Sequence, residues 1–146
     1  MRKNLLLWMG LISLTCLVAC ANGGAPKNPA APANAASDTA NYTRIHWVDS
    51  LKDFGSIPFG QKVKIVYAFE NAGNKPLYIT SVRPTCGCTV ADYTHTAVLP
   101  GKSGNITAEF DSNHGVPGDI RKSIVVSSNT INDRNYVLAF TGTVTK

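Results

Sequence analysis

At 146 residues, with 44% apolar and 16% charged residues, the chain has the composition of one globular domain rather than two. Its formal net charge is +5, and it falls to +3 when the two basic residues of the N-terminal segment are set aside. So mild and scattered a positive charge argues against a nucleic-acid partner.

Residues 1–19 are predicted to be a signal peptide. Arg2 and Lys3 give a positively charged start, and residues 5–18 are almost wholly apolar. This apolar run is too short to span a bilayer comfortably, but it suits the central part of a signal peptide. The sequence therefore predicts an exported protein.

The signal segment ends in residues 17–20, Leu-Val-Ala-Cys, which resemble the bacterial lipobox. The resemblance implies cleavage before Cys20 and attachment of lipid to its sulfur. An ordinary signal peptide cut nearby, or an uncleaved anchor, is the alternative. Because two or three acyl chains bind a membrane firmly, we expect a lipoprotein held on a membrane through Cys20.

Residues 20–41 are predicted to be a flexible tether. Ala, Asn and Pro dominate them, and no apolar periodicity is visible. Such a segment cannot bury enough surface to offset its ordering entropy, and as a coil it reaches about 25 Å. Ala21, rather than Asp, follows Cys20, which by resemblance to lipoprotein sorting signals implies the outer membrane. We expect the protein to face the periplasm.

Residues 42–146 are predicted to form the folded domain, because aromatic and β-branched residues rise and strand alternation replaces any helical spacing. A first strand is predicted at 44–48. Residues 54–60 are predicted to be a turn-rich passage, since Pro58 argues against a central strand. The clearest strand is 62–71, with one face formed by Val63, Ile65, Tyr67 and Phe69.

Further strands are predicted along the rest of the domain. In residues 77–83, Val82 falls out of phase, which indicates a bulge or a change of sheet. Residues 90–98 suggest a weak edge strand or a loop. Clear alternation returns at 106–110 and in the remaining two strands, at 120–127 and 136–144.

About seven short strands with frequent turn signals predict an all-β fold, an antiparallel β-sandwich of the immunoglobulin-like kind. A small β-barrel is the alternative architecture. Cys86 and Cys88, two positions apart, cannot bridge sheets that pack about 10 Å apart. The core is therefore expected to hold by apolar packing alone.

A set of landmarks over nearly all of residues 49–144 resembles a bacterial family known as domain of unknown function 1573. The resemblance implies an immunoglobulin-like fold related to Hydin-like and chaperone-like sandwiches, and it implies no established activity. The landmarks are 54–57 with Gly60, 69–73, 76–79, 86–89, 100–101 before Ile106, 127–129 and 142–144.

Cys86 and Cys88 are the two cysteines of the predicted domain, and an exported protein meets an oxidising compartment. In one interpretation both thiols are buried and structural, and Gly87 serves close backbone packing or a positive φ. In a second, a disulfide spans Gly87. An extended strand places the two Cα atoms about 6.6 Å apart, and a local turn would shorten this. The small ring would be strained and exchangeable, which suits a redox site or sensor.

In a third interpretation the two thiolates bind a metal, because side chains two positions apart on a strand point the same way. Zn²⁺ or Cu(I) would accept such a pair. His95 is a weak candidate for a further ligand, although a loop histidine is more often simply solvated. Both methionines lie in the signal peptide, which excludes a Met-rich copper carrier. Apart from copper or zinc, no cofactor is expected.

The chain lacks the sequence motifs of serine hydrolases, phosphate-binding loops and zinc proteases. Its two glutamates, Glu70 and Glu109, fall in predicted strands and are expected to face outward. We therefore expect a non-enzymatic periplasmic lipoprotein whose domain binds another envelope protein. The alternative is a thiol-based redox or copper-handling accessory protein that uses Cys86 and Cys88.

Overall fold

The computed structural model describes residues 30–146 of the chain. The predicted signal peptide, Cys20 and residues 21–29 lie outside that range. Within it, no helix is long and apolar enough to cross a membrane. Two single-turn 3-10 helices cover Thr39–Asn41 and Ser112–His114. The strands are β1 Ile45–Trp47, β2 Leu51–Pro58, β3 Lys62–Asn71, β4 Ile79–Pro84, β5 Thr89–Tyr93, β6 Ser103–Asp111, β7 Gly118–Ser128 and β8 Asn135–Thr145.

The strands form two four-stranded sheets that pack face to face. Sheet one has the strand order β1-β3-β6-β5, and sheet two has the order β2-β8-β7-β4. The pairs are antiparallel except that β2 runs parallel to β8. The predicted β-sandwich is therefore confirmed, with eight strands in residues 30–146 rather than about seven.

The additional strand is β2, which takes in most of the passage 54–60 that the sequence predicts to be turn-rich. Gly55 has a φ of 75°, and the register with β8 shifts between Asp53 and Ser56. This irregularity conceals the alternation of the strand. Pro58 is the last residue of β2 and lies at the edge of sheet two, where its missing N–H removes no ladder hydrogen bond. That Pro58 avoids a central strand is confirmed.

The bulge predicted near Val82 is also confirmed. Leu77 pairs with Val98, whereas Ile79 already pairs with Ser128 of β7. The register between β4 and β7 then shifts before Ser81. The segment thus changes pairing partner as it enters sheet two, and its side-chain alternation changes phase with it.

The core lies between the two sheets and follows the predicted alternation. Ile65, Tyr67 and Phe69 of β3 point inward and are at most 6% exposed. Burying one aliphatic or aromatic side chain of this kind contributes about 1.5–3 kcal/mol. The other strands supply matching inward side chains: Ile106, Ala108 and Phe110 from β6, Ile124 and Val126 from β7, and Leu138, Phe140 and Val144 from β8.

Residues 30–41 differ from the flexible coil that their composition predicts. Ala35 is only 4% exposed, and Ala30 pairs with Thr96. The Ala36 carbonyl accepts hydrogen bonds from the Tyr42 hydroxyl at 2.8 Å and from the Arg134 guanidinium at 3.2 Å. The small side chains let this backbone approach the sandwich closely, and polar groups of residues 42–146 supply partners that composition cannot reveal.

Candidate functional site

The two cysteines lie in the connection that crosses from β4 in sheet two to β5 in sheet one. A disulfide joins Cys86 and Cys88, and their Cα atoms are 5.3 Å apart. This separation lies within the usual range for disulfides and is shorter than an extended strand would give. A local turn at Gly87 therefore brings the sulfurs together, as the second interpretation of the pair required.

The two cysteines differ in exposure. Cys88 is 7% exposed and belongs to the apolar core, whereas Cys86 is half-buried at its border. The Thr89 hydroxyl lies 3.5 Å from Cys86 Sγ and 4.0 Å from Cys88 Sγ. Because sulfurs in a disulfide carry no hydrogen, this hydroxyl is the donor. The site is thus an asymmetric disulfide with one hydroxyl beside both sulfurs.

The residues that flank the disulfide are held by main-chain hydrogen bonds to both sheets. On one side, the backbone N–H and the hydroxyl of Thr85 both donate to the Ser123 carbonyl of β7 at 3.0 Å. On the other side, the Cys88 carbonyl accepts from the N–H of Asp111 in β6 at 3.0 Å. None of these bonds uses a sulfur atom, so the backbone positions of the cysteines do not depend on the disulfide alone.

Gly87 serves neither of the two purposes that the sequence suggests for it. It is exposed, and a Cβ atom built on it would have no heavy atom from outside residues 86–88 within 4 Å. Its φ also lies outside the positive range that favours glycine. Both proposed reasons for Gly87, close backbone packing and a positive φ, are therefore wrong. The rest of the fold therefore leaves room for a side chain at position 87, on the exposed side of the turn.

His95, the weak candidate for a metal ligand, is engaged with other side chains. Its Nε2 atom lies 2.9 Å from Asp92 Oδ1, and its ring centroid lies 4.1 Å from that of Tyr93. The hydrogen bond from His95, followed by one from the Tyr93 backbone, lowers the pKa of the Asp92 carboxyl. No group of three or more His, Cys, Asp or Glu side chains in residues 30–146 is placed to hold a metal ion.

The loops of the sandwich lie at two opposite ends. We call the turn 59–61, the loop 112–117 and the disulfide turn 86–88 the free end. Residues 30–43 and 129–134 form the tether end. Ser112 at the free end donates to Gln61 at 3.1 Å, while Thr43 at the tether end pairs with Thr130. The eleven residues of β7 separate the two ends by roughly 35 Å.

Exposed apolar side chains lie at the free end. Phe59 is 46% exposed and Val116 is 76% exposed, and both occupy loops that contact one another through Ser112. The loop 111–119 is recognisable in the sequence as a long loop suited to protein binding, but the sequence does not indicate that Phe59 lies at the same end of the sandwich. Glu70 and Glu109 face outward as predicted, and Lys62 pairs with Glu109 at 3.2 Å.

Several family landmarks have structural roles at the corners of the fold. Asn71 is fully buried, and its side chain bonds Thr43, Gly73, Lys75 and Val98 at 2.7–3.0 Å. The sequence places Asn71 within a family landmark and at a turn signal, an asparagine that ends a strand before Ala-Gly, but it does not reveal that the side chain is buried. The other corner residues are Asn129, which bonds Asn41, Pro76 and Tyr78, and Gly142, which lies against the Phe54 ring.

The fold and the disulfide define an immunoglobulin-like sandwich with a cysteine pair in one crossover turn. The family model described as protein of unknown function (DUF1573) matches residues 45–144. The chain belongs to this family, as its landmarks suggest. No curated protein matches the chain.

Solved structures share the fold at low sequence identity. A protein of unknown function from Porphyromonas gingivalis W83 is 19% identical, with a TM-score of 0.64 over 73% of this chain and 49% of that one. This chain thus spans about half the length of that protein. PapD-like domain 7 of human CEP192 is 11% identical, with a TM-score of 0.56 over 73% of this chain and 88% of that one. Identities this low show the fold alone.

Proposed function

We propose that the protein is a lipid-anchored lipoprotein of the cell envelope whose immunoglobulin-like domain binds another envelope protein and catalyses no reaction. The observation that carries the binding role is the free end, which presents Phe59 and Val116 to solvent on neighbouring loops. Aromatic side chains are enriched where binding energy concentrates in protein interfaces, and loops on a rigid sandwich commonly hold binding residues.

The proposed anchor fixes which end of the domain is accessible. Acylation of Cys20 leaves nine residues, 21–29, between the membrane and residue 30 at the tether end. Nine residues span at most roughly 32 Å. The tether end is then held near the membrane, and the free end faces away from it, toward partners in the periplasm. The outer membrane is the proposed location, because Ala21 rather than Asp follows Cys20.

Site-specific photo-crosslinking in living cells tests the binding role. A photoreactive amino acid at position 59 or 116 is expected to give a discrete adduct with one envelope protein. The same probe at the exposed Asn74, near the tether end, is the matched control and is expected to give none. Equal adducts at all three positions, or adducts at position 74 alone, would contradict the proposed surface.

Mass spectrometry of the mature protein tests the anchor separately. The N-terminal residue is expected to be Cys20 with acyl chains attached, and Cys20→Ala is expected to release the protein from the membrane fraction. Cys20→Ala leaves residues 30–146 unchanged. If this variant still crosslinks at position 116, the anchor is lost but binding is retained. A mature protein that begins elsewhere would refute the lipoprotein assignment.

A further inference from the structure

We propose that Cys86–Cys88 is a site of thiol–disulfide exchange, in which an incoming thiolate attacks Cys86 Sγ and Cys88 Sγ is the leaving group. The thiolate belongs to a protein cysteine or to a small cellular thiol. In this exchange the cysteine pair is a reactant that is itself consumed, so the inference goes beyond the proposed binding role without making the domain an enzyme, and it does not depend on the membrane anchor.

Access to the two sulfurs sets the direction of attack. Cys86 is half-buried at the border of the core, whereas Cys88 is 7% exposed and packs within it. Gly87 between them is exposed, and no heavy atom outside residues 86–88 lies within 4 Å of where its side chain would be, so no other part of the fold covers the turn there. Exchange needs a thiolate to reach one sulfur, so exposure selects which sulfur is attacked. Cys86, the more exposed of the two cysteines, is therefore the one that an incoming thiolate reaches.

The backbone around the pair allows the bond to open and close. Thr85 is fixed to Ser123 in sheet two, and the Cys88 carbonyl is fixed to Asp111 in sheet one. These bonds hold the residues on both sides of Gly87 without using sulfur. We expect the thiols to stay adjacent after reduction, so that the disulfide re-forms without refolding of the domain.

The Thr89 hydroxyl is placed to support the leaving group. It donates toward Cys86 Sγ at 3.5 Å and lies 4.0 Å from Cys88 Sγ. A hydroxyl rotates freely and donates more strongly to an ionised acceptor than to a neutral one. As charge develops on Cys88, rotation of this hydroxyl brings its proton toward that sulfur. Thr89 is therefore assigned as a positioning residue.

The chemistry balances in two steps. A thiolate forms a bond to Cys86 Sγ as the Cys86–Cys88 bond breaks, and Cys88 leaves as a thiolate that takes a proton from water. A second thiol then attacks the mixed disulfide at the incoming sulfur and releases Cys86 as a thiol. Two external thiols are oxidised to one disulfide, and the cysteine pair gains two electrons and two protons. The reverse sequence re-forms the Cys86–Cys88 disulfide and reduces a partner disulfide to two thiols.

Trapping the mixed disulfide in the native full chain tests the assignment. Oxidised protein is mixed with reduced glutathione, and N-ethylmaleimide is added at short times to cap the thiol that has left. Fragmentation mass spectrometry then locates each modification. We expect glutathione on Cys86 and maleimide on Cys88, in at least tenfold excess over the opposite arrangement. Glutathione on Cys88 in equal or greater amount would overturn the assigned direction.

A second reductant, a thioredoxin-type protein with two active thiols, distinguishes the source of the thiolate. Faster reduction by this protein indicates a protein partner, and faster reduction by glutathione indicates a small thiol. If neither reagent reduces the bond without denaturant, the exchange site is refuted. Near-UV circular dichroism of the reduced protein is expected to match that of the oxidised protein, and unfolding on reduction would equally refute the proposal.

Matched variants at Thr89 in β5 and at Thr94, the residue after β5, test the role of Thr89. Thr89→Val keeps the side-chain shape and removes the hydroxyl, and it is expected to slow exchange with glutathione about fivefold, as one lost hydrogen bond implies. Thr94→Val, on the same segment but bonded to Asn105, is the control and is expected to leave the rate unchanged. Equal rates in both variants would exclude the positioning role, whatever their thermal stability.

Discussion

The Cys86–Cys88 disulfide encloses a ring of three residues, which limits its value as a structural cross-link. Disulfides stabilise chiefly by restricting the unfolded chain, and the effect grows with the number of residues enclosed. For three residues the loop-entropy expression gives about 1.6 kcal/mol, against about 3 kcal/mol for a 15-residue loop. The core therefore supplies most of the stability, and the bond is free to serve in exchange.

At the level of single residues, Gly87 and Gly73 allow a matched comparison of glycine-to-alanine substitutions, one in open space and one in a crowded position. Gly87→Ala is expected to change the free energy of unfolding by less than about 0.5 kcal/mol, because the added Cβ meets no atom outside residues 86–88. At Gly73 a Cβ would lie against the Thr43 hydroxyl and 2.6 Å from the Arg44 nitrogen. We expect Gly73→Ala to cost about 2 kcal/mol or more, since backbone must shift.

Urea unfolding of the two glycine variants checks this prediction. A large loss of stability in Gly87→Ala would mean that glycine is required at that position for the fold itself. The exposed side of the turn at position 87 would then not admit a side chain.

At the level of elements, the corner that ends β3 depends on Asn71. Its side chain is buried and satisfies groups from four different residues, so truncation leaves several buried donors and acceptors without partners. Each such loss costs about 1–3 kcal/mol. Asn71→Ala is therefore expected to lower the free energy of unfolding by about 3 kcal/mol, measured by urea or thermal unfolding.

Asn74→Ala is the control for this corner, because Asn74 is exposed in the turn that follows. It is expected to change stability by less than about 0.5 kcal/mol. Comparable losses in the two variants would show that the turn, rather than the buried amide of Asn71, fixes the corner.

The strands differ in how well the sequence predicts them. β3, β6 and β8 each bury one face against the other sheet, so their side chains alternate and their strands are visible in the sequence. The sequence does not reveal β2 because its alternation is interrupted at Gly55 and its pairing partners in β8 lie 87 or 88 residues away along the chain. Parallel pairing of this kind depends on spatial neighbours that local patterns do not encode.

The candidate site was predictable only in part. The spacing of Cys86 and Cys88 identified the pair and made a disulfide one of three interpretations. Its asymmetry could not be predicted, because burial of Cys88 depends on packing between two sheets. The contact with Thr89 and the open space beside Gly87 likewise follow from the path of the crossover turn, for which the sequence carries no periodic signal.

At the level of the whole molecule, one hydrogen bond joins the two sheets through the core. The Tyr67 hydroxyl, from β3 in sheet one, donates to the Ala139 carbonyl of β8 in sheet two at 2.7 Å. Burial raises the pKa of Tyr67 from 10.0 to about 12. The folded state therefore holds this proton to a higher pH than the unfolded state does.

The pKa difference of Tyr67 between the folded and unfolded states determines how stability changes with pH. Below pH 10 both states keep the Tyr67 proton, and its full contribution to stability is present. As pH rises from 10 toward 12 the unfolded state ionises first, so the free energy of unfolding falls, by about 1.4 kcal/mol for each pKa unit of difference. We expect wild-type protein to be less stable at pH 11.5 than at pH 9, as measured by urea unfolding.

Tyr67→Phe separates this titration from that of other groups. The variant is expected to lose about 1 kcal/mol at pH 9, since the Ala139 carbonyl loses its donor. It is also expected to lose less stability between pH 9 and pH 11.5 than wild type. Tyr78→Phe, at a half-buried tyrosine, is the control and is expected to retain the wild-type pH dependence. Parallel pH profiles for wild type and Tyr67→Phe would mean that the phenol ionises equally in both states and that the inter-sheet bond does not exclude water.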